Sequence, residues 1–487
     1  MDIKWFELRW MTIGATVALS ASVAHSAEIV QPYALGGLTF SDNINQSQQA
    51  QSAFVLNVGA GLDFDYQTAK NSLTGNYEIR QFIYSDDSDK NSAYQDMDVN
   101  WLYATKLEGV GLYANAQIDN VARFNDQNAI TDIFAGNTVQ ESQLEAGATY
   151  SNPIQGTAYV DSRAYYRINN NSDDLGNNSG YGVTLFSTDG YDADVLFWQS
   201  DWSYDVRTGK QSGLDSEYIV LRQSLGIQTP WDIAPLVRVN YENITGESGE
   251  NVESLYYGGG LRYSYNRLNY LELSYNIADD PENEDYWGGV INIQSTSNTR
   301  FAASYDRRFF GDAYDVELSH RSRKVTNTLS YYENPTNYDR DSFVSGGGAD
   351  GEIFLSREAR WNVEVNAGRT LWNFYVSYKD TEDIEAVLLE LDESDLSLGY
   401  GGKVTHQLSR RTSSALSIDF DDYDFFQTLA DNNAQDDFYQ RYKATLNHQL
   451  SRSISSDFEL SYLHRDSSVG RFNYDEIRAS ANIKLDF

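Results

Sequence analysis

Ile477-Arg478-Ala479-Ser480-Ala481-Asn482-Ile483-Lys484-Leu485-Asp486-Phe487 places apolar residues at every odd position and polar ones at every even position. Strict alternation is a period of two, the period of a strand with one face in an apolar medium and the other in water. The same period sets Phe458, Leu460 and Tyr462 against Asp457, Glu459 and Ser461, and Leu416, Ile418 and Phe420 against Ser417, Asp419 and Asp421. It recurs where Leu271, Leu273 and Tyr275 alternate with Tyr270, Glu272 and Ser274. A half-buried antiparallel sheet of any kind gives this pattern, so the way the strands are joined has to decide the fold.

Tight, often basic joints at 69–71, 108–109, 152–156, 230–234, 266–268, 297–298, 323–324, 368–370, 409–411 and 451–453 alternate with longer polar stretches. The longer ones include 42–52, 86–92, 125–137, 169–179, 279–285, 334–351, 380–390 and 429–435, rich in Asp, Asn, Ser and Gly. A short turn followed by a long loop is the layout of a transmembrane β-barrel with short periplasmic turns and long outer loops. A soluble sandwich has no such regular alternation. With a break near Thr188 to Gly190, the joints predict an all-β antiparallel barrel of about 24 strands, within a range of 18 to 26. An even count puts both ends of the sheet on the periplasmic side.

Composition agrees with that reading. The chain has 487 residues, 41% hydrophobic and 14% aromatic, with a mean hydropathy of -0.54. After the first 27 residues no apolar run is long enough for a spanning helix, which needs about 18 to 20 residues. In a barrel roughly half of each strand faces lipid and half faces a wet interior, so the average stays polar. There are six Pro, five of them in or beside turns and loops, where no ladder hydrogen bond is lost. Aromatic residues at strand ends, such as Trp101, Tyr103, Trp287 and Trp372, fit interfacial girdles. A net charge of -35 argues against nucleic acid as a partner. The absence of Cys removes disulfides, thiol nucleophiles and Cys zinc sites.

Lys4 and Arg9, the apolar stretch Met11 to Val23 and the small residues Ala24, Ser26 and Ala27 have the layout of a secretory signal peptide. Residues 1–27 are expected to be removed, with cleavage between Ala24 and Glu28, and 28–487 to form one barrel domain. A second internal signal is a repeat. His406-Gln407-Leu408-Ser409-Arg410 recurs 42 residues later as His448-Gln449-Leu450-Ser451-Arg452. The offset corresponds to one hairpin, which makes strand, turn, strand the building unit.

A barrel of this size encloses a lumen, where function is expected. Asp419, Asp421, Asp457 and Glu459 fall in the inward phase, as elements of a cation-selective pore, as partners of sugar hydroxyls, or as partners of inward Arg on neighbouring strands. Arg307, Arg308 and Arg321 belong to the densest basic stretch. Inward, they would line a track for acidic or hydroxyl-rich polymers, or brace a wide wall as an Arg–acid ladder, which is the expected arrangement. The acidic long loops are expected to be solvated rim. No GxSxG elbow, HExxH motif, P-loop or EF-hand loop is present, so no catalytic residue, metal ligand or cofactor is assigned.

Arg307 to Tyr332, RRFFGDAYDVELSHRSRKVTNTLSYY, with the signal peptide, serial hairpins and Phe487, resembles the PEP-CTERM system-associated outer-membrane proteins. These are similar to β-barrel porins encoded beside exopolysaccharide genes. The resemblance implies residence in the outer membrane of a Gram-negative cell and a conduit or scaffold role in exopolysaccharide export. The implied partners are outer-membrane lipid, the polymer and its export machinery. The terminal strand ending in Phe487 is similar to the signal read by the barrel-assembly machinery. A cation-preferring nutrient or ion porin and a surface adhesion or structural barrel are the alternatives.

Overall fold

The computed structural model describes residues 30–487 apart from 124–127, 137, 211–212, 214, 247–250, 267, 282, 338–352, 385–386, 388–393 and 427–433. The expected signal peptide lies outside the described residues. The strands are β1 (Val30–Ser41), β2 (Ala53–Gln67), β3 (Asn71–Tyr84), β4 (Ser92–Ala104), β5 (Val110–Ala122), β6 (Thr138–Ser151), β7 (Ala158–Asn171) and β8 (Asn178–Asp189). They continue as β9 (Leu196–Gly209), β10 (Asp215–Ile227), β11 (Ile233–Thr245), β12 (Asn251–Asn266), β13 (Asn269–Ala278), β14 (Tyr286–Thr296), β15 (Thr299–Arg308) and β16 (Gly311–Arg321). The last eight are β17 (Val325–Asn337), β18 (Ile353–Asn366), β19 (Thr370–Asp383), β20 (Ser394–Ser409), β21 (Thr412–Phe425), β22 (Gln435–Gln449), β23 (Ile454–Ser467) and β24 (Tyr474–Asp486).

All 24 form one antiparallel sheet in which each strand pairs with its chain neighbours and β1 also pairs with β24. The closing register runs from Tyr33↔Asp486 to Ser41↔Arg478, and the Phe487 N–H donates to the Pro32 carbonyl at 3.0 Å. Closure leaves no free edge, as lipid requires of a spanning sheet. The expected count of 24 holds, including the break between β8 and β9.

The period of two sets the two faces. In β24, Ile477 and Ile483 point outward and are about half exposed, whereas Arg478, Ser480 and Asn482 point inward. The pairing carries this phase around the wall: Lys403, Ser417, Lys443, Ser461 and Arg478 share one inward rung across β20 to β24. Trp287, Trp361 and Trp372 stand on the outer face at different heights, as interfacial rings should. The short–long alternation lapses from β6 to β12, where every connection is five or six residues long, and is reversed after β15. The outer link from β15 to β16 is only Phe309-Phe310, closed by Gly311 at φ +107.

Gly75 in β3 has φ +140, and a Cβ there would lie 1.9 Å from the Asp98 carbonyl oxygen on β4. Gly36 in β1 has nothing within 4 Å of its Cβ position. Gly75→Ala is expected to cost about 2 kcal/mol or more of barrel stability and Gly36→Ala roughly nothing. Urea midpoints of the refolded protein, followed by heat-modifiable gel mobility, check this.

Candidate functional site

The inner wall is polar because the inward phase of nearly every strand carries Asp, Glu, Asn, Arg or Tyr. Each carboxylate removed from bulk water needs compensation, and the sheet supplies it from adjacent strands. Tyr33 donates to Glu78 at 3.0 Å, and Arg80 pairs with the same carboxylate. Tyr113 donates to Glu145 at 2.9 Å beside Arg163, and Tyr165 to Asp205 at 2.5 Å beside Arg167. Phenol, carboxylate and guanidinium recur as a unit.

The four expected acids are placed on the inward rungs of β21 and β23 and meet partners there. Asp421 pairs with Arg441 at 2.6 Å, Glu459 with Lys443 at 2.8 Å, and Asp457 accepts from Asn482 at 2.8 Å. Asp419 accepts from Tyr375 at 2.9 Å. Three basic-stretch residues separate. Arg308 is inward and buried. Arg321 is in the inward phase at the periplasmic end of β16, paired with Thr326. Arg307 corrects the expectation: it falls in the outward phase of Phe301, Ala303 and Tyr305, and it pairs with Glu284 of the β13–β14 loop at 3.1 Å. The odd–even phase of β15 could have shown this, because Arg307 and Arg308 are adjacent and cannot both face the lumen.

Arg308 links strands far apart in the wall. Its Nε donates to both Glu242 oxygens at 2.9 and 3.0 Å, Nη1 to the Glu333 carbonyl at 2.9 Å, and Nη2 to Tyr218 Oη at 2.9 Å. These groups sit on β11, β17 and β10. From β10 to β17 is seven strand spacings, about 33 Å of wall, so one guanidinium pinches the outer end of the barrel. Phe309 follows it into an apolar cluster with Ile244, Leu355 and Ile384.

The second narrowing falls in a stretch whose composition predicts a polar outer loop. Residues 128–136, between β5 and β6, instead fold into the barrel mouth. Asp132 accepts from Arg478 of β24 at 3.2 Å and from Gln46 at 2.6 Å. The Ala129 N–H donates to Tyr439 of β22 at 3.3 Å, and Tyr84 of β3 donates to the Phe134 carbonyl at 3.2 Å. Ile133 and Phe134 pack on a cluster of Ile44, Ala53, Val55, Phe82 and Tyr84, and Ala129 and Ile130 on Tyr439, Leu463 and Tyr474. The signal was present in composition: Ala129, Ile130, Ile133, Phe134 and Ala135 are apolar residues inside a nominally polar loop.

Between this segment and the wall from β17 to β24 lies a cavity of about 980 Å³. Arg360, Lys403, Arg441, Lys443 and Arg478 meet Asp132, Glu364, Asp419, Glu459 and Glu476 there. Among the described residues Arg360 and Lys403 make no ion pair. On β4 and β5 the inward Asp96, Asp98 and Asp119 have amide partners, Asn76, Asn100 and Gln117, and make no ion pair among the described residues. Glu364, Asp419 and Asp457, on β18, β21 and β23, also make no ion pair among the described residues, so the lumen presents uncompensated charge of both signs with acids on both arcs. Among the described residues no group of three or more His, Asp or Glu is placed to hold a metal ion.

Arg308→Met leaves Glu242 with Arg222 as its one remaining cation among the described residues. The expected loss is about 3 kcal/mol, the scale for breaking a buried pair. Arg308→Met combined with Glu242→Gln is expected to recover part of it, measured by urea midpoint.

Residues 383–487 match the family model described as "Putative beta-barrel porin 2". No curated protein matches the sequence. Among solved structures, the FrpB iron transporter of Neisseria meningitidis (F3-3 variant) is similar at 7% identity, over 95% of this chain and 82% of that one, with a TM-score of 0.49. The siderophore receptor PirA of Pseudomonas aeruginosa is similar at 8% identity, over 95% and 81%, with a TM-score of 0.43. OccK2 of Pseudomonas aeruginosa is similar at 8% identity, over 94% and 98%, with a TM-score of 0.37. These likenesses concern the barrel fold alone. The chain is a porin-like β-barrel of the outer-membrane type.

Proposed function

We propose that this chain is a passive diffusion channel for small hydrophilic solutes across the outer membrane, and not an enzyme. The observation that carries the reading is the inward seat of residues 128–136. The segment is fixed by Asp132 to Arg478 and by its apolar side chains to the wall, and it leaves a charged, water-accessible cavity beside it. A wide lumen narrowed by a fixed segment and lined by both signs of charge suits selection by size and charge.

Two readings of the inward acids, a cation-selective pore and pairing with basic neighbours, each fit two of the four residues: Asp419 and Asp457 carry no cation partner among the described residues. Asp421 and Glu459 are neutralised by Arg441 and Lys443. The charges left to act on a permeating ion include Arg360 and Lys403, and the acids Asp96, Asp98, Asp119, Glu364, Asp419 and Asp457, none of which makes an ion pair among the described residues. Acids predominate among these, so a moderate cation preference follows, adjustable from either side.

The narrower reading, a conduit or scaffold in exopolysaccharide export, is supported by the resemblance of residues 307–332, whereas the porin match covers 383–487. That basic stretch is occupied as a brace at Arg308, so a polymer track would have to use the cavity below residues 128–136. The polymer, its export machinery and the assembly factor that would read Phe487 remain partners within this proposal. Phe487 itself is exposed on the outer face.

Planar-bilayer recordings of the refolded protein test both. Deleting residues 128–136 is expected to raise single-channel conductance roughly two-fold or more, since conductance follows open cross-section. Lys403→Glu is expected to move the reversal potential toward cation preference. Conductance unchanged by the deletion would contradict the channel reading. Block by added polysaccharide at low concentration would favour the export conduit over a general pore.

A further inference from the structure

The histidines and leucines of the HQLSR repeat face away from the lumen, and their position in the barrel gives them another use. His406 and His448 lie on the outward face near the periplasmic ends of β20 and β22, in phase with the exposed Leu408 and Leu450. Each imidazole Nδ1 meets a threonine hydroxyl on the neighbouring strand: His406 with Thr370 at 2.8 Å and His448 with Thr412 at 2.9 Å. His320 of β16 repeats the arrangement with Thr299 at 2.8 Å, in the looser copy His320-Arg321-Ser322-Arg323. With Nδ1 engaged by the hydroxyl, Nε2 is the nitrogen left for a partner outside the barrel. Trp372 stands two residues above Thr370 on the same face, at the level where indoles meet headgroups.

The turns below these histidines are basic. The four successive periplasmic turns from β16 to β23 carry Arg323 and Lys324, then Arg369, then Arg410 and Arg411, then Arg452, with no Asp or Glu among their residues. None of these cations is paired with a carboxylate among the described residues. The opposite arc differs. The turns after β8 and β10 carry Asp192, Asp194 and Asp232. In a chain of net charge -35, a continuous cationic arc on one side of one rim is an arrangement that general solubility does not require.

We propose that the arc from β16 to β23 binds the phosphate headgroups of anionic glycerophospholipids in the periplasmic leaflet, with the turn arginines as cations and the threonine-held histidines as outward donors. Lipid is the fitting occupant because the imidazoles face the same direction as Leu408, Leu450 and Trp372, into the bilayer and not toward the periplasm. Arg and Lys near a bilayer surface each contribute about 1 kcal/mol toward anionic lipid, roughly a five-fold preference per site. The inference is independent of what passes through the lumen.

The test reconstitutes the full chain in bilayers of phosphatidylethanolamine and phosphatidylglycerol. Tryptophan quenching by brominated phosphatidylglycerol is compared with quenching by brominated phosphatidylethanolamine. The expected result is a preference of about five-fold for the anionic lipid, falling as salt is raised. The combined variant Arg410→Ser, Arg411→Ser, Arg452→Ser, His406→Gln and His448→Gln is expected to bring the ratio close to one. Equal quenching by the two lipids in the unaltered protein overturns the proposal without any variant having to fold. So does a preference that the combined variant retains in full. Bilayer conductance measured alongside separates failure here from failure of the channel reading.

Discussion

Everything in this molecule depends on the pairing of β1 with β24. In hydrocarbon no water is available to an unpaired N–H or C=O, and each one left open costs several kcal/mol. A sheet that crosses a bilayer must therefore close, and the ladder from Tyr33↔Asp486 to Ser41↔Arg478 closes it. Closure fixes which face each residue takes. Once Arg478 points inward, pairing propagates that phase through Ser461, Lys443, Ser417 and Lys403. A slip of one residue anywhere would turn carboxylates toward lipid and leucines toward water.

Closing 24 strands creates a second problem, a lumen too wide to be filled by wall side chains alone. The chain meets it without a separate domain in its described residues. Phenol, carboxylate and guanidinium units satisfy the inward charges locally, as at Tyr113, Glu145 and Arg163. Arg308 draws β10, β11 and β17 together at the outer end, and residues 128–136 lie against β22 to β24 and β3. Both devices set an ion pair beside an apolar cluster, buried at Arg308 and Glu242 and half-buried at Asp132 and Arg478, so polar groups set the position and packing excludes water. The outer end is thereby narrow, while the periplasmic end keeps the simple geometry of a barrel rim.

Much of this was legible in the sequence, for a definable reason. Period two is a local property, so the tail from Ile477 to Phe487 announces its strand, and alternating joint lengths announce the barrel. The inward placement of Asp419, Asp421, Asp457 and Glu459 follows from the same period. Contacts between strands distant in the chain were not legible. Nothing local to Glu242 names Arg308 as its partner, since their meeting depends on the cross-section of the closed wall. The polar neighbours of residues 128–136 predict an outer loop, although Ile130, Ile133 and Phe134 need an apolar surface. Charge groups Arg307 with Arg308, whereas strand phase separates them.

The seat of residues 128–136 inside the lumen is the central claim, and the chain's lack of cysteine gives direct access to it. Thr131 lines the cavity. In a Thr131→Cys protein inserted in a planar bilayer, a small charged methanethiosulfonate reagent should reduce single-channel current in discrete steps, with no effect on the cysteine-free parent. Current unaffected by modification, with labelling of the thiol confirmed by mass, would place the segment outside the conduction path and contradict the account.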